Sequence, residues 1–296
     1  MVISLLNKKG GVGKTTVASN VAQVLGLIDK KVLCIDNDEQ HNLSASLGIR
    51  KLPKTTLADV YEDIRNLPNA IVSTFIENVD CIAGGDKLSK VKIRKDSLKE
   101  IIQSEIIKEV GYDYVIIDNS PSTDNKTMAA IFASDVFIIP VQLKYFAIQG
   151  LNEIFMKLVS ENVEKDRIQI LRNEFRKFNS YQGASLAVEN MFPENTLKTI
   201  IPYDEEIDKV VVDGKSMLMS KSKAKSVQPF IELVIELFGF DLDEVFNKLK
   251  NKRDTMKKEI LEKYRFKSSR KSGEAVVNCE KEENIEKKET LEVVNG

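Results

Sequence analysis

Two hydrophobic rhythms alternate along residues 1–240. Short runs dominated by apolar residues occur at Val2 to Leu6, Lys31 to Asp36, Val79 to Ala83, Tyr114 to Asp118, Ala133 to Gln142, Ile168 to Leu171 and Leu197 to Pro202. Such runs read as strands covered on both faces. Between them, apolar residues recur at helical spacing in Val17 to Leu25, Leu57 to Ile64, Ser97 to Ile107 and Tyr145 to Leu151, and again in Val227 to Phe238. Strands that alternate with helices pair in parallel, because each return crossover needs a helix. The pattern therefore predicts an α/β fold with a doubly wound, mostly parallel sheet.

The first strand runs into Asn7-Lys8-Lys9-Gly10-Gly11-Val12-Gly13-Lys14-Thr15-Thr16, and the first helix follows at once. Strand, glycine-rich turn and helix in that order make a phosphate-binding loop. Glycines let backbone N–H groups close around phosphate oxygens, and the helix N-terminus adds a favourable dipole. Lys14 is placed to reach the β- and γ-phosphates, and the Thr15 hydroxyl to join the shell of Mg²⁺. The usual spacing of Gly, four residues and Gly-Lys-Ser/Thr fails at one position: counting back from Gly13 puts Lys8 where the first glycine would stand.

Two further strands end in acids. Lys31 to Asp36 leads into Asp36-Asn37-Asp38-Glu39-Gln40, and Tyr114 to Asp118 leads into Asn119-Ser120-Pro121-Ser122. Carboxylates at the carboxyl ends of parallel strands lie where open α/β sheets place ligand chemistry. Asp118 reads as the Walker B acid beside a magnesium ion. Asp36 and Asp38 fit either a place near the phosphates or a helix cap and solvated turn. His41 is the only histidine, and it is given no catalytic role.

The loop Lys9 to Thr16 resembles the deviant Walker A loop of the ParA/MinD group of ATPases, a P-loop NTPase family. Asp36 to Gln40 is similar to that family's Asp-x-Asp-Pro-Gln segment, with Glu39 in place of proline. Asn119 to Ser122 resembles its Asp-Thr-Pro-Pro-Ser stretch, with Ser120 replacing the first proline. Ala133 to Gln142 and Tyr145 to Leu151 also match. The resemblance covers residues 1–240 and implies ATP and Mg²⁺ as cofactors and a homodimer that forms with ATP. It implies that Lys9 reaches the partner protomer's nucleotide, that Asp38 positions the attacking water and that Asp36 supports the magnesium shell. Asn173, with the loop after Pro202, would lie against the base. A small Soj-like partition ATPase, stimulated by a ParB-like centromere-binding protein, is the member it fits best. The rivals are a MinD-like ATPase that positions itself on membranes and a noncatalytic nucleotide-dependent adaptor.

Composition changes this picture in three places. The net charge of −1 gives no global field for nucleic acid, so a DNA surface has to be local. Family members often carry two arginines after the last strand, where this chain reads Pro202-Tyr203-Asp204-Glu205-Glu206. Carboxylates repel phosphates, so nonspecific DNA binding shifts to two basic stretches. One holds Lys215, Lys221, Lys223 and Lys225. The other runs from Lys248 to Lys271, with eleven Lys/Arg that include Lys252, Arg253, Lys257 and Lys258. A solvated helix face is the alternative reading of such a run. The scattered cysteines Cys34, Cys81 and Cys279 form no metal-binding pair, and together with the absence of a signal-like segment or long apolar run they point to a cytoplasmic protein. The expected organisation is an ATPase domain over 1–240, a basic helical extension over 241–271 and a disordered tail over 272–296.

Overall fold

A computed structural model describes residues 1–143, 147–207 and 225–255. Residues Lys215, Lys221, Lys223, Lys257 and Lys258, the Tyr145–Phe146 pair and the tail 272–296 lie outside the described residues. The chain divides into a compact unit, Met1–Leu249, and a second unit, Lys250–Gly296.

In the first unit the strands are β1 (Val2–Leu5), β2 (Val32–Asn37), β3 (Ile71–Ser73), β4 (Val79–Ile82), β5 (Tyr114–Asn119), β6 (Val136–Gln142), β7 (Ile168–Phe175) and β8 (Thr196–Pro202). The helices are α1 (Lys14–Leu27), α2 (Asn42–Ser46), α3 (Leu57–Glu62), α4 (Leu67–Ala70), α5 (Ser97–Ile102), α6 (Glu105–Val110), α7 (Asn125–Ala133), α8 (Ala147–Ser160), α9 (Asn179–Met191) and α10 (Val227–Phe238). Residues 242–249 are helical and bury Val245, and residues 250–255 of the second unit are helical too.

The eight strands form one sheet in the order β3-β4-β2-β5-β1-β6-β7-β8. Every pairing is parallel except β3 with β4. The doubly wound α/β expectation holds, with β3 as an added antiparallel edge. Its three partly exposed residues are too few to show a period. Alternate residues of each strand face opposite sides. On β2, Cys34 joins a cluster with Val17, Val21 and Leu25 of α1 and Phe230, Leu233 and Val234 of α10, while Leu33 and Ile35 join Leu57 of α3, Leu98 of α5 and Ala129 of α7. On β6 and β7, Phe137, Ile139 and Ile170 pack against Ile154, Phe155 and Leu158 of α8. Helices thus cover both faces, which is why the strands read as predominantly apolar runs.

The helix expected over Ser97 to Ile107 is two helices. Ser104 interrupts it: its Oγ accepts from the Ile107 amide, 3.5 Å away, and starts α6. A side chain that offers the backbone its own acceptor favours a cap over a continuous turn. Helix α9 leaves no clear period in the sequence, since Asn179–Met191 sets Gly, Ser, Asn and Gln among its apolar residues.

The sheet edge sets a tight limit on α1. A Cβ at Gly26 would stand 2.7 Å from the Glu77 carbonyl oxygen, and the Gly26 carbonyl itself accepts from Asn78 Nδ2 at 3.2 Å. Helix propensity alone favours alanine over glycine by about 1 kcal/mol, but backbone against backbone cannot yield. Gly26→Ala is therefore expected to destabilise the protein by about 1–3 kcal/mol. The check is urea unfolding, where the midpoint should fall with an unchanged slope; a raised midpoint would show that propensity wins.

Candidate functional site

The glycine loop leaves the central strand β1, whose neighbours are β5 and β6. Leu5 is in register with Asp118 of β5, and Asp118 with Asp36 of β2, so both acids stand at strand ends beside the loop. Gly11 and Gly13 have φ of +69° and +90°, a region that residues with a Cβ enter only under strain. At Gly13 there is a second reason, because a Cβ would run into the Asn173 amide.

Polar side chains grip the loop from both sides. Gln142 and Asn173 are register partners on β6 and β7. Gln142 Nε2 donates to the Gly11 carbonyl, and Asn173 Nδ2 donates to the Val12 carbonyl at 2.8 Å. Asn7 Nδ2 donates to the Pro140 carbonyl, and Asn7 Oδ1 accepts from the Lys9 amide, both at 2.9 Å. On the far side Thr15 Oγ1 donates to Asp118 Oδ2 at 2.6 Å. The Thr16 carbonyl accepts from Asn20 Nδ2 within α1. Gly10 is exposed and Val12 is buried.

The two loop lysines next to each other differ in what holds them. Lys8 Nζ lies 3.6 Å from Glu153 of α8. Lys9 is exposed and makes no ion pair among the described residues. Lys14 is buried, and its Nζ donates to the Asn7 carbonyl at 3.2 Å and toward the Lys9 carbonyl at 3.5 Å. Burial lowers the Lys14 pKa, with Asp118 and Asp38 working the other way.

Around the acids the electrostatics are strained. Burial, then the charge of Asp36, pushes the Asp118 carboxyl up to about 8, against the opposing effects of Thr15 and Lys14. Its Oδ1 is buried and finds no hydrogen-bond donor among the described residues. Asp36 Oδ2 accepts from the Ser44 amide at 2.8 Å and the Ser44 hydroxyl at 2.6 Å, fixing the start of α2; burial still raises its pKa to about 6. Asp38 is half-buried and its Oδ1 accepts from the Gln40 amide at 3.1 Å. The main-chain oxygens of Asp36 and Asp38 leave no room for a Cβ at Gly84, which explains the glycine after β4.

The donor set fits magnesium held together with phosphates. Thr15 and Asp118 supply hard oxygens, and Asp118 Oδ1 is an acceptor without a protein donor. Among the described residues no three His, Cys, Asp or Glu side chains form a metal cage. Magnesium ordinarily takes one or two protein groups and completes its octahedron with phosphates and water.

The remaining sequence-based candidates are placed as follows. Pro202 ends β8 and Asn173 lies two residues before the end of the neighbouring β7, and the Arg176 guanidinium stacks 3.5 Å from the Tyr203 ring centroid just beyond the two strand ends. The Asn173 amide is turned toward the loop, holding Val12. His41 adopts φ +43° ahead of α2, and its buried Nδ1 has no partner among the described residues. Asp204 serves the fold: its Oδ2 accepts from both the amide and the hydroxyl of Ser226, at 2.9 Å each, at the start of α10. Lys225 and Arg253 are exposed and Lys252 is half-buried. Gln142 and Asn7 were given no role in the sequence reading, because a carbonyl held from a distant strand leaves no local signature.

Comparison with known proteins gives a consistent result. The AAA domain family matches residues 1–170. The sporulation initiation inhibitor protein Soj of Bacillus subtilis is 30% identical over 249 residues, covering 80% of this chain and 97% of the relative. The chromosome-partitioning ATPase Soj of Treponema pallidum is 34% identical over 247 residues, covering 80% and 96%. Among solved structures, the septum site-determining protein MinD of Pyrococcus horikoshii, complexed with Mg-ADP, is similar with a TM-score of 0.68 and 26% identity, over 80% of this chain and 95% of that one.

Because the Asp118 carboxyl titrates near 8 when folded but near 3.9 when unfolded, the folded state holds the extra proton between those values. Stability in nucleotide-free, metal-free buffer should then fall as pH rises through that window. Asp118→Asn keeps an acceptor for Thr15 and removes the charge. Its thermal midpoint should gain on the wild type progressively from about pH 5 to about pH 8. A constant difference across that range would contradict the assignment.

Proposed function

The chain belongs to the ParA/MinD superfamily of P-loop ATPases, and on that premise we propose that it is an ATP-dependent DNA-partitioning ATPase of the Soj kind. ATP with Mg²⁺ occupies the Lys9–Thr16 loop, and two protomers associate around two nucleotides. The ATP-bound dimer holds nonspecific DNA in the cytoplasm, and slow hydrolysis, stimulated by a ParB-like centromere-binding protein, releases it. The observation that carries this reading is the cluster of Lys14, Thr15 and Asp118 beside a left-handed glycine loop, with Asp36 and Asp38 at the adjoining strand end.

Each residue has a role that its surroundings support. Lys14 and the loop amides take the phosphates, and the phosphates in turn supply the counter-charge that a buried ammonium needs. Thr15 and Asp118 face the magnesium shell, with Asp36 behind them. Magnesium, when bound, neutralises phosphate charge. Asp38 orients the attacking water. Lys9, exposed beside the tethered Lys8, is the lysine free to extend toward a partner protomer's nucleotide; a cation supplied in trans can contribute about 10³- to 10⁵-fold in rate. Asn173 and Pro202 border the base. DNA phosphates meet Lys215, Lys221, Lys223 and Lys225 and the stretch bearing Lys252, Arg253, Lys257 and Lys258, since Asp204 is committed to Ser226.

The test is cosedimentation with nonspecific DNA and with anionic liposomes, each with ADP, ATP or neither, at low and moderate salt. The expected outcome is ATP-dependent DNA binding that weakens steeply with salt and is lost on truncation after Leu249. ATP-dependent liposome binding without DNA binding would replace this reading with a membrane-positioning ATPase.

Two substitutions separate binding from turnover. Lys14→Ala should abolish nucleotide binding, whereas Asp38→Ala should bind ATP normally, trap the dimer and release no phosphate. A normal hydrolysis rate in Asp38→Ala would refute the role of Asp38, and dimerisation of the wild type without phosphate release, with partner present, would indicate a noncatalytic adaptor.

A further inference from the structure

Glu39 follows Asp38 directly, at the position where the resembled segment carries proline. Its carboxylate forms an ion pair with Lys126 Nζ, 87 residues further along the chain. Lys126 lies in the first turn of α7, and its side chain is only 8% exposed. The same ammonium lies 3.3 Å from Asp124 Oδ2, and Asp124 Oδ1 caps α7 by accepting from the amides of Lys126 and Thr127. Burial works against the Lys126 charge, but its hydrogen bond to Glu39 and the charge of Asp124 outweigh that effect and raise its pKa.

Lys126 has a second attachment to the same turn. Its carbonyl accepts from Asn37 Nδ2 at 3.1 Å, and that amide also donates to Asn119 Oδ1 at 2.9 Å. Asn37 is fixed further by Tyr61, whose hydroxyl donates to Asn37 Oδ1 at 3.2 Å. Asn37 and Glu39 are the two neighbours of Asp38. One residue, Lys126, therefore holds the chain on both sides of Asp38, by its carbonyl before it and by its ammonium after it.

We propose that Lys126 is a positioning residue for Asp38, fastening the turn after β2 to the start of α7 so that the Asp38 carboxylate keeps a fixed aim. Where proline would restrict this turn through its own backbone, Glu39 restricts it through a partner. The Lys126 ammonium is buried and shared between the partly exposed Glu39 and Asp124, and a charge-assisted contact from a buried donor is directional, so the turn has one preferred arrangement. Lys126 acts through Asn37 and Glu39; it forms no contact with the glycine loop among the hydrogen bonds and ion pairs described. This inference rests on the reading of Asp38 as the water-orienting group, and the experiment separates the two.

Amide hydrogen exchange and ATPase kinetics are measured on the full-length protein and on Lys126→Met, Lys126→Arg, Glu39→Gln and the Glu39→Gln/Lys126→Met double variant. In nucleotide-free protein, Lys126→Met should speed exchange in residues 37–46 by about tenfold or more while amides of α1 stay protected. In turnover, kcat should fall about 10- to 100-fold, as expected for a misaimed catalytic group, with nucleotide affinity kept within about twofold. Glu39→Gln should give a similar loss, the double variant no more than Lys126→Met alone, and Lys126→Arg should retain most of the rate. Unchanged exchange in residues 37–46 overturns the attachment, whatever the kinetics. Faster exchange with unaltered kcat overturns the positioning role. If the wild type itself releases no phosphate with partner present, the catalytic reading of Asp38 falls and the positioning role falls with it, while the exchange data still decide the attachment.

Discussion

Asp36 and Asp118 are paired in register on adjacent strands, both almost wholly buried. Carboxylates in a dry place lack water to solvate their charge, so burial drives both toward the protonated form, and the charge of Asp36 pushes Asp118 further that way while Asp38 does the same to Asp36. The surrounding groups are arranged against that constraint. Ser44 gives Asp36 two hydrogen bonds, Thr15 gives Asp118 one, and Lys14 contributes the nearby positive charge. Ser44 belongs to α2, Thr15 and Lys14 to α1, and the acids themselves to β2 and β5, so the site needs all four elements in place. The parallel sheet supplies that registration at the carboxyl ends of its strands, which is the part of an open α/β fold where adjacent connections part and leave room for a ligand.

The loop itself is rigid for reasons outside the loop. Left-handed glycines at 11 and 13 have wide conformational freedom in an unfolded chain, and freedom lost on folding has to be offset by fixed contacts. Here the carbonyls of Gly11 and Val12 are held by Gln142, at the end of β6, and by its register partner Asn173 on β7. Turning these carbonyls away toward β6 and β7 leaves the amides on the opposite side of the peptide units, a geometry suited to anions. The same arrangement accounts for the orientation of Asn173, whose amide supports the phosphate loop from beneath while its strand end borders the region around Pro202.

Much of this was legible from the chain alone because the strands are short, buried and mostly apolar, and because the site-bearing ones change abruptly to asparagine or acids at their ends. Leu6 into Asn7, Ile35 into Asp36 and Ile117 into Asp118 mark the ends of β1, β2 and β5 to within two residues, by chemistry as well as by period. Helix α9 and strand β3 lacked that contrast. The split at Ser104 was hidden because apolar residues keep helical spacing through it, and only the hydroxyl's competition for a backbone amide interrupts the helix. Gln142, Asn7 and Lys126 act across large separations in sequence, where no local pattern carries information about the partner.

The departures from the family pattern have a common physical feature. Glu39, in place of proline, meets a buried Lys126. Asp204, in the acidic segment that stands where family members often carry arginines, receives two hydrogen bonds from buried Ser226. Ser120, in place of another proline, shares a hydrogen bond with Ser122 at 2.9 Å. A polar side chain put in place of a rigid or oppositely charged one would by itself loosen a turn or leave an unsatisfied group. With a partner supplied, each turn is held again, by a side-chain contact in place of a backbone restriction. Departures of this kind alter how the loops are fixed and leave in place the contacts of Lys14 with the Asn7 carbonyl, of Thr15 with Asp118 and of Asp36 with Ser44.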